Sequence, residues 1–174
     1  MNLMTLAAGT LIILAFSWFY SIKHYRYHGI PRFFSFESVF ILTALNLKAW
    51  FETPFSPLHL LSWILLVASA WAGIAGFLTL KIKGRPGANI EETTLLVKSG
   101  IYRFIRHPLY LSLLLLGTGI MLKDPGPVQI IAGIVNAIAL FLTALIEERE
   151  MVEKFGEEYS KYMRHSKMFI PFVI

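Results

Sequence analysis

The 174-residue chain contains no cysteine. Disulfides, thiolate nucleophiles and thiolate metal ligands are therefore excluded together. Charge is scarce too, at 16% of residues, where an ordinary soluble domain carries about one quarter. Acidic residues are the scarcer sign, 11 against 16 lysines and arginines, for a net charge of +5. A basic balance of this kind serves a nucleic-acid binder only when it lies on the face of a soluble domain, and the long apolar runs leave no room for one. A glycine-rich nucleotide loop, an internal repeat and a low-complexity segment are also missing.

What is present is apolar: 56% of the residues are hydrophobic, gathered into runs separated by short basic connections. That is the pattern of a multi-span membrane protein. The first run, Leu3–Tyr20, has no basic leader and closes on Phe16, Trp18, Phe19 and Tyr20, so an uncleaved span is expected rather than a signal peptide. A basic connection with Lys23, His24, Arg26, His28 and Arg32 follows. The second run, 39–51, is short, with Asn46 and Lys48 inside it; a straight span needs about 20 residues. After Pro54 and Pro57 the third run, 58–80, carries Ala68, Ala70, Ala72, Gly73, Ala75 and Gly76, small residues that let helices approach closely in lipid.

The longest polar stretch, 81–106, contains Gly84, Pro86 and Gly87. Run four, 109–122, starts beside Pro108, a residue suited to a first helical turn. A tight turn, Lys123-Asp124-Pro125-Gly126-Pro127, leads to run five, 128–146. Runs four and five read as a membrane helical hairpin. Beyond them, 147–164 is charged, yet Met151, Val152, Phe155, Tyr159, Tyr162 and Met163 recur at helical spacing. The expectation is an all-α integral membrane protein with about five transmembrane helices, a helix 4–5 hairpin and a C-terminal amphipathic cytoplasmic helix. Residues 1–80 form its three-helix part and 81–174 its cofactor-binding part, in one integrated domain. With five spans, every lysine and arginine except Lys48 and Lys123 falls on one side. The positive-inside rule makes that side cytoplasmic, together with the C-terminus, and puts the N-terminus outside.

Two polar clusters then share the cytoplasmic boundary: Tyr102, Arg106, His107 and Tyr110 at the start of run four, and Glu147 and Glu148 at the end of run five. In an antiparallel hairpin these ends are neighbours. The start of helix four offers unpaired N–H groups and partial positive charge to an anion, while carboxylates and tyrosine faces favour a cation. A zwitterionic ligand carrying a sulfonium suits both halves.

Arg106-His107-Pro108-Leu109-Tyr110, the pair Glu147-Glu148 and the tail Phe155-Gly156-Glu157-Glu158-Tyr159 with Tyr162 resemble an RHPxY motif, an acidic pair about forty residues later and an FGxEYxxY tail. This set is similar to the isoprenylcysteine carboxyl methyltransferase and phospholipid methyltransferase superfamily, over roughly residues 83–171. The resemblance implies an integral membrane methyltransferase that uses S-adenosylmethionine, acts on a small or lipophilic acceptor and lies among membrane lipids. It involves neither metal nor nucleic acid, and oligomeric state is left open. Carried over by position, the cofactor residues are Leu95, Leu96, Val97, Tyr102, Arg106, His107, Pro108, Leu109, Tyr110, Glu147 and Glu148. His107 and Glu147 are the candidates for proton handling. The isoprenylcysteine branch carries an arginine in helix five ahead of its acidic run, and residues 140–146 have none; a carboxylate acceptor loses its natural partner there.

Other readings of the same residues stand beside these. Arg103 reads as a positive-inside anchor, and Arg106 as either an anchor or a site residue. Glu150, Glu153, Glu157 and Glu158 read as a solvated helix face, and Phe155, Tyr159 and Tyr162 as packing. His24, His28 and His59 lack metal-like partners. An NADPH-dependent sterol or steroid reductase has a similar His-Pro and acidic pattern. A non-catalytic protein or small transporter would need a polar path, for which only Asn46, Lys48, Asn136 and Thr143 are available.

Overall fold

The computed structural model describes residues 3–21, 23, 27–52, 55–85 and 94–171. His24, Arg26, Pro54, Pro86 and Gly87 lie outside them. Six α-helices follow in order: α1 Leu3–Tyr20, α2 Gly29–Asn46, α3 Pro57–Lys83, α4 Pro108–Met121, α5 Pro127–Phe155 and α6 Glu157–His165. Short 3-10 turns stand at Lys48–Trp50 and Gly100–Arg103. Among the described residues, α3 and α5 are long and apolar enough to cross a membrane, and the apolar helices α1 and α4 are shorter.

The distribution of polarity is that of a helical protein solvated by lipid. Leu11, Ile64, Val67, Trp71, Ile131 and Ile138 are exposed on the helix exteriors, whereas Ser35, Asn46, Ser62, Ser69, Asn136 and Thr143 are buried. Lipid tails supply no hydrophobic drive between helices, so packing and interhelical hydrogen bonds hold them together. The most extensive pairings are α3 with α4 and α2 with α5. Ser35 donates to Asn136 Oδ1 at 2.7 Å, and Ser69 to the Ser112 carbonyl at 2.8 Å. Small residues set the spacing. A Cβ on Gly76 would stand 3.0 Å from Pro108, and one on Gly73 2.8 Å from Ser112 Oγ, so α3 can press against the start of α4 only because these side chains are missing.

Helix α4 has only 14 residues, about 21 Å of length at the ordinary rise, so its carbonyl end lies inside the bundle. Those carbonyls need partners. Ser62 donates to the Gly119 carbonyl and Asn46 to that of Ile120, both at 2.6 Å, and His59 Nε2 lies 2.8 Å from that of Lys123. Of the four polar residues available to a transport path, Asn46 and Asn136 donate to α4 carbonyls and Thr143 to the Ala139 carbonyl of its own helix, while Lys48 is exposed.

Two boundaries differ from the sequence expectation. α2 starts ten residues earlier than the run 39–51, because Arg32, Ser35 and Ser38 turn inward and leave the lipid face to Ile30 and Phe34. α5 does not stop where charge begins at Glu147 but continues to Phe155. Gly156, at φ +59°, then breaks the chain direction before α6, a left-handed conformation that costs glycine little. The amphipathic stretch 147–164 is thus the last turns of α5 followed by a separate short helix.

Candidate functional site

The site is assembled where the 3-10 turn Gly100–Arg103 and the start of α4 meet the far end of α5. Gly100, at φ +64°, turns the chain against Thr79 of α3 and so presents Tyr102 inward, where it is buried. His107 precedes Pro108, the first residue of α4, and proline's fixed φ suits that position. Pro108 has no N–H and Leu111 N donates back to the His107 carbonyl at 2.9 Å, so the first turn of α4 presents its positive dipole end at this corner.

The C-terminal residues hold this corner in place. Arg106 N donates to the Lys167 carbonyl at 2.7 Å, His107 N to that of Met168 at 3.1 Å, and Lys167 N to that of Phe104 at 3.0 Å; Ile105 and Lys167 form an isolated parallel bridge. Tyr162 donates its hydroxyl to the Tyr102 carbonyl at 2.6 Å. Met168 and Phe169 are buried with Tyr110, Leu140 and Ala144.

At the centre stand two carboxylates. His107 Nε2 is 3.2 Å from Glu148 Oε1, and its Nδ1 is 3.5 Å from Glu147 Oε2. Its ring stacks on Tyr110, centres 5.3 Å apart and planes within 11°. Burial disfavours the charged imidazole, but hydrogen bonds and charge from Glu147 and Glu148 outweigh it and raise the His107 pKa above its ordinary value. Arg106 Nε donates to Glu148 Oε1 at 2.6 Å, and its Nη1 reaches the Met163 carbonyl at 3.3 Å and that of Ser166. The tyrosines keep their protons: burial, then the Glu147 charge, pushes Tyr102 up, and burial is the chief cause that pushes Tyr162 up to about 12.

Beside this cluster opens a half-enclosed cavity lined by Leu80, Leu96, Val97, Tyr102, residues 106–110, Glu147, Met151, Phe155, Tyr159 and Tyr162. Nine of the eleven residues carried over from the motifs therefore meet at one cavity. The other two do not line it. Leu95 is exposed, and Glu148 lies behind the wall, where it holds Arg106 and His107. Leu80, Met151, Phe155, Tyr159 and Tyr162 line it without having been carried over as cofactor residues. Glu147, Met151 and Phe155 are spaced four apart and share one face of α5; that spacing, followed from the carboxylate into the tail, was the signal for two of the five. Among the described residues no group of acidic and histidine side chains is arranged to hold a metal ion.

With this geometry in hand, the comparisons are specific. The profile of the phospholipid methyltransferase family matches residues 57–158, more than half of the chain, and the chain belongs to that family. Methanethiol S-methyltransferase 1 of Bradyrhizobium diazoefficiens is 31% identical over 71 residues, 41% of this chain and 24% of that protein. Protein-S-isoprenylcysteine O-methyltransferase of Mus musculus is 35% identical over 89 residues, 48% of this chain and 30% of that protein. The enzyme of that name from Saccharomyces cerevisiae is 31% identical over 84 residues, 48% of this chain and 35% of that protein. The matched segment thus spans about a quarter to a third of these relatives. No solved structure matches the chain. Neither the family nor these relatives favours the reductase reading.

Proposed function

We propose that the protein is an integral membrane methyltransferase that uses S-adenosylmethionine and delivers the methyl group to a small or lipophilic acceptor at the cytoplasmic membrane interface. The observation that carries this reading is the cavity in which His107, Pro108, Leu109 and Tyr110, the 94–102 loop and Glu147 converge. Its chemistry fits the cofactor. Apolar walls from Leu80, Leu96, Val97 and Leu109 suit an adenosine moiety, and the positive end of the α4 dipole suits a carboxylate. Glu147 and the tyrosine faces suit the ammonium and sulfonium.

When bound, S-adenosylmethionine supplies a methyl group activated by its positive sulfur. Leu96, Val97, Tyr102, His107, Pro108, Leu109, Tyr110 and Glu147 would hold it directly. Leu95 is exposed to one side, Arg106 lines the cavity while bonded to Glu148, and Glu148 acts from behind by fixing His107. The protein's task is then alignment in a water-poor pocket more than acid–base power. His107, held between two carboxylates, and Glu147 are the groups placed to handle a proton. All of α1–α5 span in this reading, with the N-terminus outside and the cavity cytoplasmic. The acceptor approaches sideways from the bilayer.

The relatives' names describe acceptors as different as methanethiol and isoprenylcysteine. Here residues 140–146 carry no arginine, and Arg106 is engaged with Glu148, so neither place supplies a free guanidinium to a carboxylate acceptor. The test is transfer of tritium from methyl-labelled S-adenosylmethionine to thiols, amines and lipids in vesicles containing the purified protein. Label entering an extractable product in wild type but not in Glu147→Ala supports the reading. Vesicles that instead bind and oxidise NADPH would overturn it.

A further inference from the structure

We infer that His28, at the start of α2 and outside the segment the family profile matches, is a positioning residue of the site: it ties the pocket-bearing extension of α5 to α2, as Arg106 and His107 tie it to the start of α4. Its Nδ1 lies 2.7 Å from Glu150 Oε2, and the ring is 2% exposed. Glu150 is three residues beyond Glu147 on α5, so the two carboxylates are neighbours on one helix surface. The turn 147–150 is tied to the start of α4 by the contacts of Glu147 and Glu148 with His107 and Arg106. It is tied to the start of α2 by His28. Past Ile146 the helix runs on for nine residues to Phe155, and this projecting length carries three lining residues: Glu147, Met151 and Phe155. A helix held by one tie only can swing, and a displacement of about 1 Å in a binding wall is enough to weaken a site on the order of 100-fold.

The charges around His28 favour this arrangement. Glu150 and Glu147 face it from α5, and Arg32 follows one turn later in α2; α1 and α4 contain no charged residue. The ring's hydrogen bond therefore joins an N-terminal helix to the cofactor wall. The cofactor role of that wall rests on the function proposed above; the clamp does not.

The experiment is hydrogen–deuterium exchange on the detergent-purified protein without ligand, paired with calorimetric titration by S-adenosylhomocysteine. His28→Ala and Glu150→Ala are each expected to raise exchange of 147–155 at least about tenfold while leaving 108–121 unchanged. The double variant is expected to be no worse than either single one, the signature of a shared contact. Affinity for the homocysteine compound is expected to fall about tenfold, and His28→Gln, which can still donate to Glu150, to recover most of it. Unchanged exchange in 147–155, a rise spread over all helices, or additive effects in the double variant would overturn the clamp. If wild type fails to bind the homocysteine compound yet the exchange pattern appears, the clamp stands and the methyltransferase reading falls.

Discussion

The two ends of α4 bury the same kinds of group and do different things with them. Each has a histidine and a cation out of solvent: His107 with Arg106 at the start, His59 with Lys123 at the close. At the first end the partners are carboxylates and a cavity lies alongside. At the second they are neutral. His59 meets the Lys123 carbonyl, and Lys123 Nζ, with no hydrogen-bond partner among the described residues, stands 3.6 Å from the centre of the Trp63 ring. The far end caps a short helix within the bundle, whereas the near end sets paired charges beside the cavity. Buried polarity alone does not mark a site; paired charge next to a cavity does.

The largest expected effect breaks the near end. Glu147→Ala removes the one carboxylate that lines the cavity among the described residues, and affinity for S-adenosylhomocysteine should fall on the order of 100-fold by calorimetry, as loss of a charge-assisted contact predicts. Arg106→Lys keeps the charge but cannot reach Glu148 and two carbonyls at once; a loss of about 2 kcal/mol of stability is expected from thermal unfolding. At the far end His59→Ala should cost about 1–2 kcal/mol, since it leaves the Lys123 carbonyl uncapped, with ligand affinity unchanged. A drop in affinity there would erase the distinction between the ends. Tyr162→Phe, losing one bond to the Tyr102 carbonyl, should cost about 1 kcal/mol.

The ends should also differ in their response to pH. The pKa of His107 is raised in the folded protein, so its contribution to stability is fully present below the unfolded value of about 6.5. It is lost as pH rises through the higher folded value. Thermal midpoints of wild type and His107→Gln should therefore converge as pH climbs from 6 upward. A gap that widens would reverse the sign of the interaction.

Much of this was legible in the sequence, for identifiable reasons. Apolar runs bounded by Pro57, Pro108 and Pro127 located α3, α4 and the start of α5, because proline marks first turns. The beginning of α2 was hidden, since Arg32, Ser35 and Ser38 look like a loop to a reading that counts apolar residues; in lipid the polar face turns inward. Glu147 looked like the end of a span, but a helix does not stop where the membrane does. The motif residues from Tyr102 to Tyr110, with Glu147, could be gathered by spacing. The contributions of Tyr159, Tyr162 and His28 could not, since they depend on the turn at Gly156 and on how α2 lies along α5.

The most direct measurement is calorimetric titration of the detergent-purified wild type with S-adenosylhomocysteine and, in parallel, with NADPH. Saturable one-to-one binding of the homocysteine compound, and none of NADPH, is the predicted result. Folded protein that ignores it, or that binds NADPH in its place, would contradict the claim that the cavity beside His107 and Glu147 is a methyl-donor site.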